Sequence, residues 1–443
     1  MRFKHIPALL KLAGPMILTC SGIMLMQLVD AYVLSLHSRE AVAAIGPSSF
    51  AIVLFQGTLC AVASYAGTFV AHGHGRGDVR GVRKSAWLGI YTALLSGMAA
   101  LLLAWPLARL FHLAGHDPQV ARNEEVYFAI CMAGSLFPLL CGALGGWLAG
   151  IGRTVMVTVV TFIAGLANLL LAFGLVLGLW GLPRLGMSGA ALATVTAQGI
   201  GAILLLLIFA RAGGLADAAA RAFDAAALRG FLALSVPFAL RIGGELTAWT
   251  AFMLVVGRLG TTELAASSIA FRMNGLAFFP ALGFGQATGI LVGHARGAGR
   301  DDDVPDIVRQ ALAVCLVWGV LMSGLFSSAS APLAAIFAGG GQDGARIVEL
   351  GALLMKFVAA YCLFDGVNLV LGGALAAAGD TRWVARAYFV ASVIFVGLLL
   401  AVDAFLPGLV AEWSLAVLFV ASTAAIWWFR FRRGAWRERQ VPA

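Results

Sequence analysis

Leu12–Ser35 reads LAGPMILTCSGIMLMQLVDAYVLS, and this apolar run indicates a membrane span. A helix of about 20 apolar residues is long enough to cross the ~30 Å hydrocarbon core of a bilayer. The run is too long for the hydrophobic part of a signal peptide, and no small-residue cleavage site follows it. It is therefore predicted to be the first transmembrane helix, with Asp30 as its single charged residue.

Runs of this kind recur along the whole sequence. Hydrophobic residues make up 61% of the chain and charged residues only 12%, whereas about 25% of the residues of a typical soluble domain are charged. We predict an all-α membrane protein with about twelve transmembrane helices, near residues 12–35, 47–71, 86–108, 125–149, 155–179, 187–210, 231–256, 270–293, 308–331, 347–376, 383–403 and 408–430.

The basic residues indicate how the spans are oriented. One set of loops, which includes both ends of the chain, holds most of the lysines and arginines. The opposite set holds only Arg39, Arg109, Arg122, Arg184, Arg258 and Arg346. Because cytoplasmic loops carry the excess of Lys and Arg, we expect a multi-pass protein of the bacterial inner membrane with both termini cytoplasmic. The same bias explains the net charge of +9, so no nucleic-acid partner is implied.

The two halves of the chain repeat each other. Pro15 and Pro237 are 222 residues apart, and the same offset places His72, which starts HGHGRGD, on His294, which starts HARGAGR. Two equivalent loops are expected to begin there. Further on, the segment from Leu136 to Thr154 matches the segment starting at Leu363 with an offset of 227, so the second half carries a short insertion.

Six spans in each half make the repeats parallel in the membrane. We predict two pseudo-symmetric six-helix bundles, residues 1–211 and 229–443, joined by a cytoplasmic linker at 212–228. The linker is alanine-rich and spaces its charges like an amphipathic helix. Pro15 and Pro237 remove backbone hydrogen bonds inside the first span of each half, and their paired positions predict hinges.

Ionisable residues inside the spans are the candidates for function, because each costs roughly 2.5–3.5 kcal/mol to insert. They are Asp30, Arg241, Glu245, Arg272, Lys356 and Asp365. Glu245 lies near the middle of its span, and Asp365 precedes Asn368, with which it can line a polar pocket. Buried carboxylates of this kind bind a cation or take up a proton, so Glu245 and Asp365 are predicted to form a coupling site.

Arg241 suggests a competing interpretation of Glu245. It lies one turn earlier on the same helix face, where the two side chains can form a structural ion pair. Arg272 and Lys356 lie nearer the ends of their spans and are predicted to extend toward the lipid headgroups. Asp30 is expected to face a cavity between helices.

No motif indicates enzymatic or metal chemistry. The six cysteines fall inside apolar runs without regular spacing, so they resemble buried thiols. The glycine-rich segment 73–81 lacks the Gly-Lys-Ser/Thr ending of a phosphate loop, and Asp301–Asp303 lacks the spacing of a calcium loop. A membrane-embedded transferase would need an acidic or histidine metal cluster at a loop, and the sequence shows none. We predict no enzyme activity, no metal and no cofactor.

Several groups of residues together resemble the multidrug and toxic compound extrusion (MATE) family, in its NorM-like bacterial branch. They are Leu12–Pro15 with Val29 and Asp30, Asn168 with GMSGAALAT at 186–194, Val236 and Pro237 with Glu245, and Asp365 with GGAL at 372–375 and GDT at 379–381. The resemblance covers nearly the whole chain. It implies two six-helix bundles that form a V-shaped cavity, and efflux of organic cations driven by inward Na⁺ or H⁺.

The resemblance also implies roles for individual residues. Glu245 and Asp365 match the cation-site carboxylates of the second bundle, and Asp30 and Asn168 match polar positions of the first bundle. The family often has a second carboxylate one turn after the asparagine, where this chain has Ala172. Asp30 is therefore expected to contribute less to coupling than the acids of the second bundle.

The expected function is a cation-coupled antiporter that exports amphipathic, often cationic compounds. It is expected to act as a monomer among membrane lipids, with Na⁺ or H⁺ as the coupling ion. The alternative is a flippase for lipid-linked intermediates from the same broader superfamily, for which Arg241, Arg272 and Lys356 would supply positive charge. The three intramembrane acids favour the antiporter.

Overall fold

The computed structural model describes residues 4–113, 115–336, 344–439 and 441, and these residues are helical nearly throughout. The helices are α1 Ile6–Ser35, α2 Arg39–Ser64, α3 Ala66–Arg76, α4 Val79–Ala108, α5 Pro118–Ala133, α6 Leu136–Gly150, α7 Thr154–Leu177, α8 Met187–Arg211, α9 Ala218–Arg221, α10 Ala225–Leu259, α11 Thr261–Gly297, α12 Val304–Ser328, α13 Ser330–Ala335, α14 Gly344–Ala377, α15 Thr381–Phe405 and α16 Leu409–Arg432. Short 3-10 turns lie at Arg109–Leu113, Leu179–Gly181 and Asp301–Asp303.

The length and composition of these helices confirm the predicted fold class. In the described chain, 11 helical stretches are long and apolar enough to cross a membrane, and the bent pair α5 and α6, counted as one span, makes 12. Two predicted spans are not single helices. The span at 47–71 is divided at Tyr65 between α2 and α3, and the span at 125–149 bends by 47° between α5 and α6.

Repeated glycines end equivalent helices in the two halves. The predicted starts of the two loops, at His72 and His294, are wrong. Helix α3 continues to Arg76 and helix α11 continues to Gly297. Histidine does not stop a helix, whereas a glycine with positive φ does. Gly77, with φ 74°, ends α3, and Gly299, with φ 70° and 222 residues later in the chain, ends α11.

A close approach between helices is also repeated. A methyl group on Gly67 of α3 would lie 2.8 Å from the carbonyl oxygen of Gly146 in α6. At the matching positions of the second half, a methyl group on Gly289 of α11 would lie 3.2 Å from the carbonyl oxygen of Gly373 in α14. Small residues let transmembrane helices pack with their backbones in contact, so both halves use the same packing device.

Contacts group the described residues into two units. The first unit is Leu18–Ala239, and the second unit is Leu240–Val441 together with the residues before Leu18. The division falls inside α1 two residues after Pro15, and inside α10 two residues after Pro237. The hinge role of the two prolines and the bundle boundaries at 211 and 229 remain predictions.

Each unit has its own core. In the first unit, α4, α6 and α8 pack around Trp147 and Phe209, whose rings meet edge to face at 4.9 Å. In the second unit, Phe252 of α10 lies in an aromatic cluster with Trp413 at 5.5 Å and Phe271 at 6.0 Å. Such clusters hold the helices that carry the candidate site in place.

The linker at 212–228 does not form the predicted amphipathic helix. Only Ala218–Arg221 is helical before α10 begins at Ala225. Asp217 and Asp224 each accept hydrogen bonds of 3.0 Å from backbone N–H groups two or three residues later. Because a capping aspartate starts a helix, the two aspartates begin two separate helices instead of lying within one.

The linker is bound along α4. Arg83 lies 3.3 Å from the Asp217 carboxylate, Lys84 lies 2.8 Å from that of Asp224, and the Trp87 indole donates to a linker carbonyl at 2.9 Å. The backbone N–H that Asp217 accepts from lowers the pKa of its carboxyl group, and the hydrogen bond from Lys84 lowers the pKa of Asp224. Both carboxylates are therefore charged at neutral pH and available to these partners.

A single arginine of α11 holds the C-terminal tail. Arg296 donates hydrogen bonds to the carbonyl oxygens of Ala378 (2.7 Å), Trp436 (3.2 Å), Arg437 (3.3 Å) and Arg439 (2.8 Å). Its side chain is only 8% exposed. The tail after α16 is thus bound to the ends of α11 and α14.

Candidate functional site

Helix α10 positions the first pair of candidate residues in the second unit. Arg241 and Glu245 are one turn apart, and their side chains form an ion pair with an N–O distance of 3.3 Å. The side chains are 17% and 25% exposed. Each group therefore has a partner of opposite charge, but neither is sealed from its surroundings.

Asp365 of α14 is the second predicted carboxylate of this unit. It lines a small cavity between α11, α12 and α14, with Cys315, Trp318 and Cys362 among the other lining residues. Glu245 and Arg241 lie within electrostatic range of its carboxylate. In the described part of the chain Asp365 forms no ion pair or hydrogen bond, so its charge is open to an ion from the cavity.

Tyr388 of α15 belongs to the same group of side chains. Its ring is 5% exposed and lies 5.7 Å from the guanidinium carbon of Arg241. Glu245, Arg241 and Asp365 all lie within electrostatic range of its hydroxyl group. Arg241 therefore contacts both Glu245 and Tyr388, and Asp365 lies within electrostatic range of all three. Of these four residues, only the tyrosine was missed from the sequence.

Asn368 lies one turn after Asp365 but makes a different contact. Its side-chain N–H donates to the carbonyl oxygen of Val420 in α16 at 3.0 Å. It does not line the cavity at Asp365, and its side-chain oxygen is buried without a hydrogen-bond partner in the described residues. Asn368 therefore ties α14 to α16 in this structure.

In the first unit, Asp30 and Asn168 are brought together by a threonine. The Thr194 hydroxyl of α8 donates to Asp30 Oδ2 at 3.0 Å, and the Asn168 side-chain N–H donates to the same hydroxyl at 3.2 Å. Asp30 is 5% exposed and Asn168 is fully buried. Thr194 lies inside the motif at 186–194, but its hydroxyl alone did not mark it as a site residue.

The group formed by Asp30, Asn168 and Thr194 contains hydrogen-bond acceptors that receive no hydrogen bond. Asp30 Oδ1 and Asn168 Oδ1 are buried and have no hydrogen-bond partner among the described residues. Because buried polar atoms are normally hydrogen-bonded, a proton or a small cation at this position would satisfy them. Ala172, which stands where the resembled family often has a second carboxylate, is fully buried in the neighbouring apolar cluster.

Two further buried acids escaped the sequence analysis. Glu412 of α16 is fully buried, and both carboxylate oxygens lack hydrogen-bond partners in the described residues. Glu124 of α5 is also fully buried and pairs with His116 at 2.9 Å. Glu412 lies in the first turn of α16 and inside the predicted span at 408–430, and Glu124 lies in the second turn of α5, one residue before the predicted span at 125–149.

The remaining charges lie outside these groups. Arg272 and Lys356 have exposed side chains, and their extension toward the headgroups remains a prediction. No group of three histidine, cysteine, aspartate or glutamate side chains in the described ranges has the arrangement of a metal site.

Comparison with known proteins gives a consistent result. The family model MatE matches residues 15–173 and 244–401, one stretch in each half of the chain. A probable multidrug resistance protein NorM of Bradyrhizobium diazoefficiens is 33% identical over 387 residues, which are 84% of this chain and 81% of the relative. A multidrug resistance protein NorM of Burkholderia vietnamiensis is 31% identical over 395 residues, covering 86% and 83% of the two chains.

Solved structures share the fold. An outward-facing multidrug resistance MATE family transporter of the MOP superfamily superposes with a TM-score of 0.88 at 18% identity, over 97% of this chain and 96% of that chain. A MOP superfamily transporter from Pyrococcus furiosus, described as having a binding pocket of reverse polarity that suggests a different function, has a TM-score of 0.87 at 18% identity over the same shares of the two chains.

Proposed function

Because this chain belongs to the MatE family, we propose that it is a cation-coupled antiporter that exports amphipathic, often cationic compounds across the bacterial inner membrane. The observation that carries the proposal is the acidic group of the second unit. Glu245 and Asp365 lie in membrane-spanning helices within electrostatic range of each other, and Asp365 forms no hydrogen bond or ion pair in the described residues. Two such carboxylates attract a cation or a proton, which offsets their mutual repulsion.

Arg241 competes with the coupling ion for Glu245. The ion pair is a single contact of 3.3 Å, and neither side chain is sealed from its surroundings. An Na⁺ or H⁺ that enters the cavity at Asp365 can therefore displace the guanidinium from Glu245. Arg241 then remains beside the Tyr388 ring, which offers a cation–π contact.

The group in the first unit is a secondary site. Asp30 already accepts one hydrogen bond from Thr194, and no second carboxylate lies at Ala172. One acid with a neutral amide beside it holds a cation less strongly than two acids do. Asp30 and Asn168 therefore contribute to substrate or ion binding without dominating the coupling.

A flippase for lipid-linked intermediates is the second candidate, and the cationic side chains favour it. Such a substrate carries a pyrophosphate and needs positive charge in the transport path. Arg241, however, is paired with Glu245, while Arg272 and Lys356 are exposed. The acidic group therefore supports the antiporter over the flippase.

The test is transport by the purified chain in proteoliposomes, with ethidium as the amphipathic cation and with Na⁺ and pH gradients imposed separately. We expect one of the two gradients to drive ethidium movement, and its collapse to stop it. Neutral variants of exposed, paired acids, Glu349→Gln and Asp306→Asn, are the matched controls. The antiporter proposal would be wrong, and the flippase correct, if ethidium movement depended on neither gradient and the protein translocated a polyprenyl pyrophosphate analogue.

The proposal includes the orientation and the oligomeric state. Both termini lie in the cytoplasm and the protein acts as a monomer, as the distribution of basic residues and the separate acidic groups of one chain suggest. A cysteine placed beside Arg437 should react with an impermeant thiol reagent only in inside-out vesicles. Labelling from the periplasmic side would overturn the orientation.

A further inference from the structure

Helices α15 and α16 leave an apolar groove of about 760 Å³ between them, a volume within the range of roughly 300–1,000 Å³ found for small-molecule sites. Ala387 and Ala391, one turn apart on α15, and Ser422 of α16 line it with small side chains. The rings of Phe395 and Phe419, stacked at 4.4 Å, are buried and form its floor. The groove exists because small residues on both helices leave room above this aromatic pair.

The groove opens on the exposed surface of these two helices, both of which are long and apolar enough to cross a membrane. The large side chains along it are exposed: Val390 by 56%, Ile394 by 55%, Leu398 by 49% and Leu418 by 64%. On α15 the lining runs from Arg386 to Leu398, about 18 Å at 1.5 Å per residue. That length is close to the depth of one leaflet, half of a ~30 Å hydrocarbon core.

One end of the groove is charged. Arg386 lines this end, its side chain is exposed, and it forms no ion pair or hydrogen bond within the described residues. Trp383, Trp427 and Trp428 lie at the same end of the helix pair, with Arg430 over the Trp383 ring at 4.5 Å. Tryptophans and basic residues gather at the headgroup level of a membrane, so this end marks that level.

We propose that the groove binds an anionic membrane phospholipid, with one acyl chain along α15 and α16 and its phosphate held by Arg386. A guanidinium binds phosphate oxygens with paired, charge-assisted hydrogen bonds. An arginine without an acidic partner at the mouth of an apolar groove matches the charge of such a lipid. A zwitterionic lipid offers the same chains but adds a cationic group next to the arginine.

The experiment counts bound lipid on the purified full-length protein by native mass spectrometry. Delipidated protein is titrated with phosphatidylglycerol or with phosphatidylcholine of the same acyl chains. The test variants are Arg386→Gln and Ala391→Phe, which remove the charge and fill the groove. The controls are Arg433→Gln, an exposed arginine outside the groove, and Val393→Phe, a lipid-facing change on the same helix.

We expect the unmodified chain to retain phosphatidylglycerol in preference to phosphatidylcholine. Arg386→Gln should weaken phosphatidylglycerol binding about fivefold, as expected for one basic residue near a membrane surface, and Ala391→Phe should abolish it. Both controls should bind like the unmodified chain. Equal retention of the two lipids, unchanged binding in both test variants, or a dimer that Ala391→Phe dissociates would each overturn the proposal. None of these measurements depends on transport, so the lipid site and the antiport proposal fail independently.

Discussion

The guanidinium group of Arg241 lies 3.3 Å from the carboxylate of Glu245, one helical turn further along α10. If the coupling ion displaces this arginine, then Arg241→Gln should raise the apparent affinity for the ion about tenfold, the low end of the effect that a neighbouring opposite charge has on a carboxyl group. The measurement is the Na⁺ or proton concentration that gives half-maximal ethidium efflux. Unchanged ion dependence combined with less folded protein would instead show that Arg241 neutralises Glu245 permanently.

Glu245 and Asp365 should act as one unit. Because two close carboxylates hold a proton or cation jointly, Glu245→Gln and Asp365→Asn should each abolish gradient-driven efflux, and the double variant should be no worse. Efflux is compared at matched membrane expression, with Glu349→Gln and Asp306→Asn as controls. Full ion-dependent efflux in Glu245→Gln would disprove the shared site.

Asp30→Asn should reduce efflux but leave its ion dependence in place. The asparagine oxygen can still accept the hydrogen bond from Thr194, and no second acid lies beside it to lose a shared ion. The measurement is the rate of efflux against ion concentration for this variant and for Glu245→Gln. If Asp30→Asn abolished coupling while Glu245→Gln preserved it, the roles of the two groups would be reversed.

Two adjacent glycines of α14 provide a packing test. A methyl group on Gly373 would overlap the carbonyl oxygen of Gly285 in α11, whereas a methyl group on Gly372 would meet no atom within 4 Å. Gly373→Ala should therefore lower the stability by about 1–3 kcal/mol, and Gly372→Ala should leave it unchanged or slightly raised. Thermal unfolding in detergent measures both. Equal effects of the two changes would contradict the close approach of the helices.

Arg296→Gln should release the C-terminal tail. It removes charge-assisted hydrogen bonds to four carbonyl groups, three of them in the tail, so local opening should become easier by about 2–4 kcal/mol. Trypsin should then cut faster after Arg437 and Arg439. Arg309→Gln changes an exposed arginine that pairs only within α12 and is the control. The same cleavage rate in both variants would show that other contacts hold the tail.

The membrane spans could be predicted because their signal is local. A run of apolar residues shows its length directly, and the fold class follows from such runs. The repeated halves follow from residues that recur at a fixed offset, such as Pro15 and Pro237. The interruptions at Tyr65 and between α5 and α6 do not change composition, so the sequence did not show them. The prediction of a single linker helix was wrong for a different reason. Asp217 and Asp224 fit an amphipathic pattern, but each accepts backbone hydrogen bonds that start a new helix.

The acids of the candidate site were visible because a charge stands out in an apolar run. Their neighbours were not, since a hydroxyl such as that of Thr194 or Tyr388 is common in membrane helices and gains a role only when another helix brings a partner to it. For Arg241, one contact could be predicted from the sequence and another could not. Its spacing from Glu245 predicted the ion pair, but its position over the Tyr388 ring depends on how α15 packs.

The binding of the linker along α4 sets an order of events during biosynthesis. Its partners Arg83, Lys84 and Trp87 all precede it in the chain, so they have already left the ribosome when Asp224 emerges. Domains generally fold as units, N-terminal first, during synthesis. The linker can therefore dock before most of α10 has emerged from the ribosome, and the nascent second half then starts from a fixed anchor instead of a free strand of polypeptide.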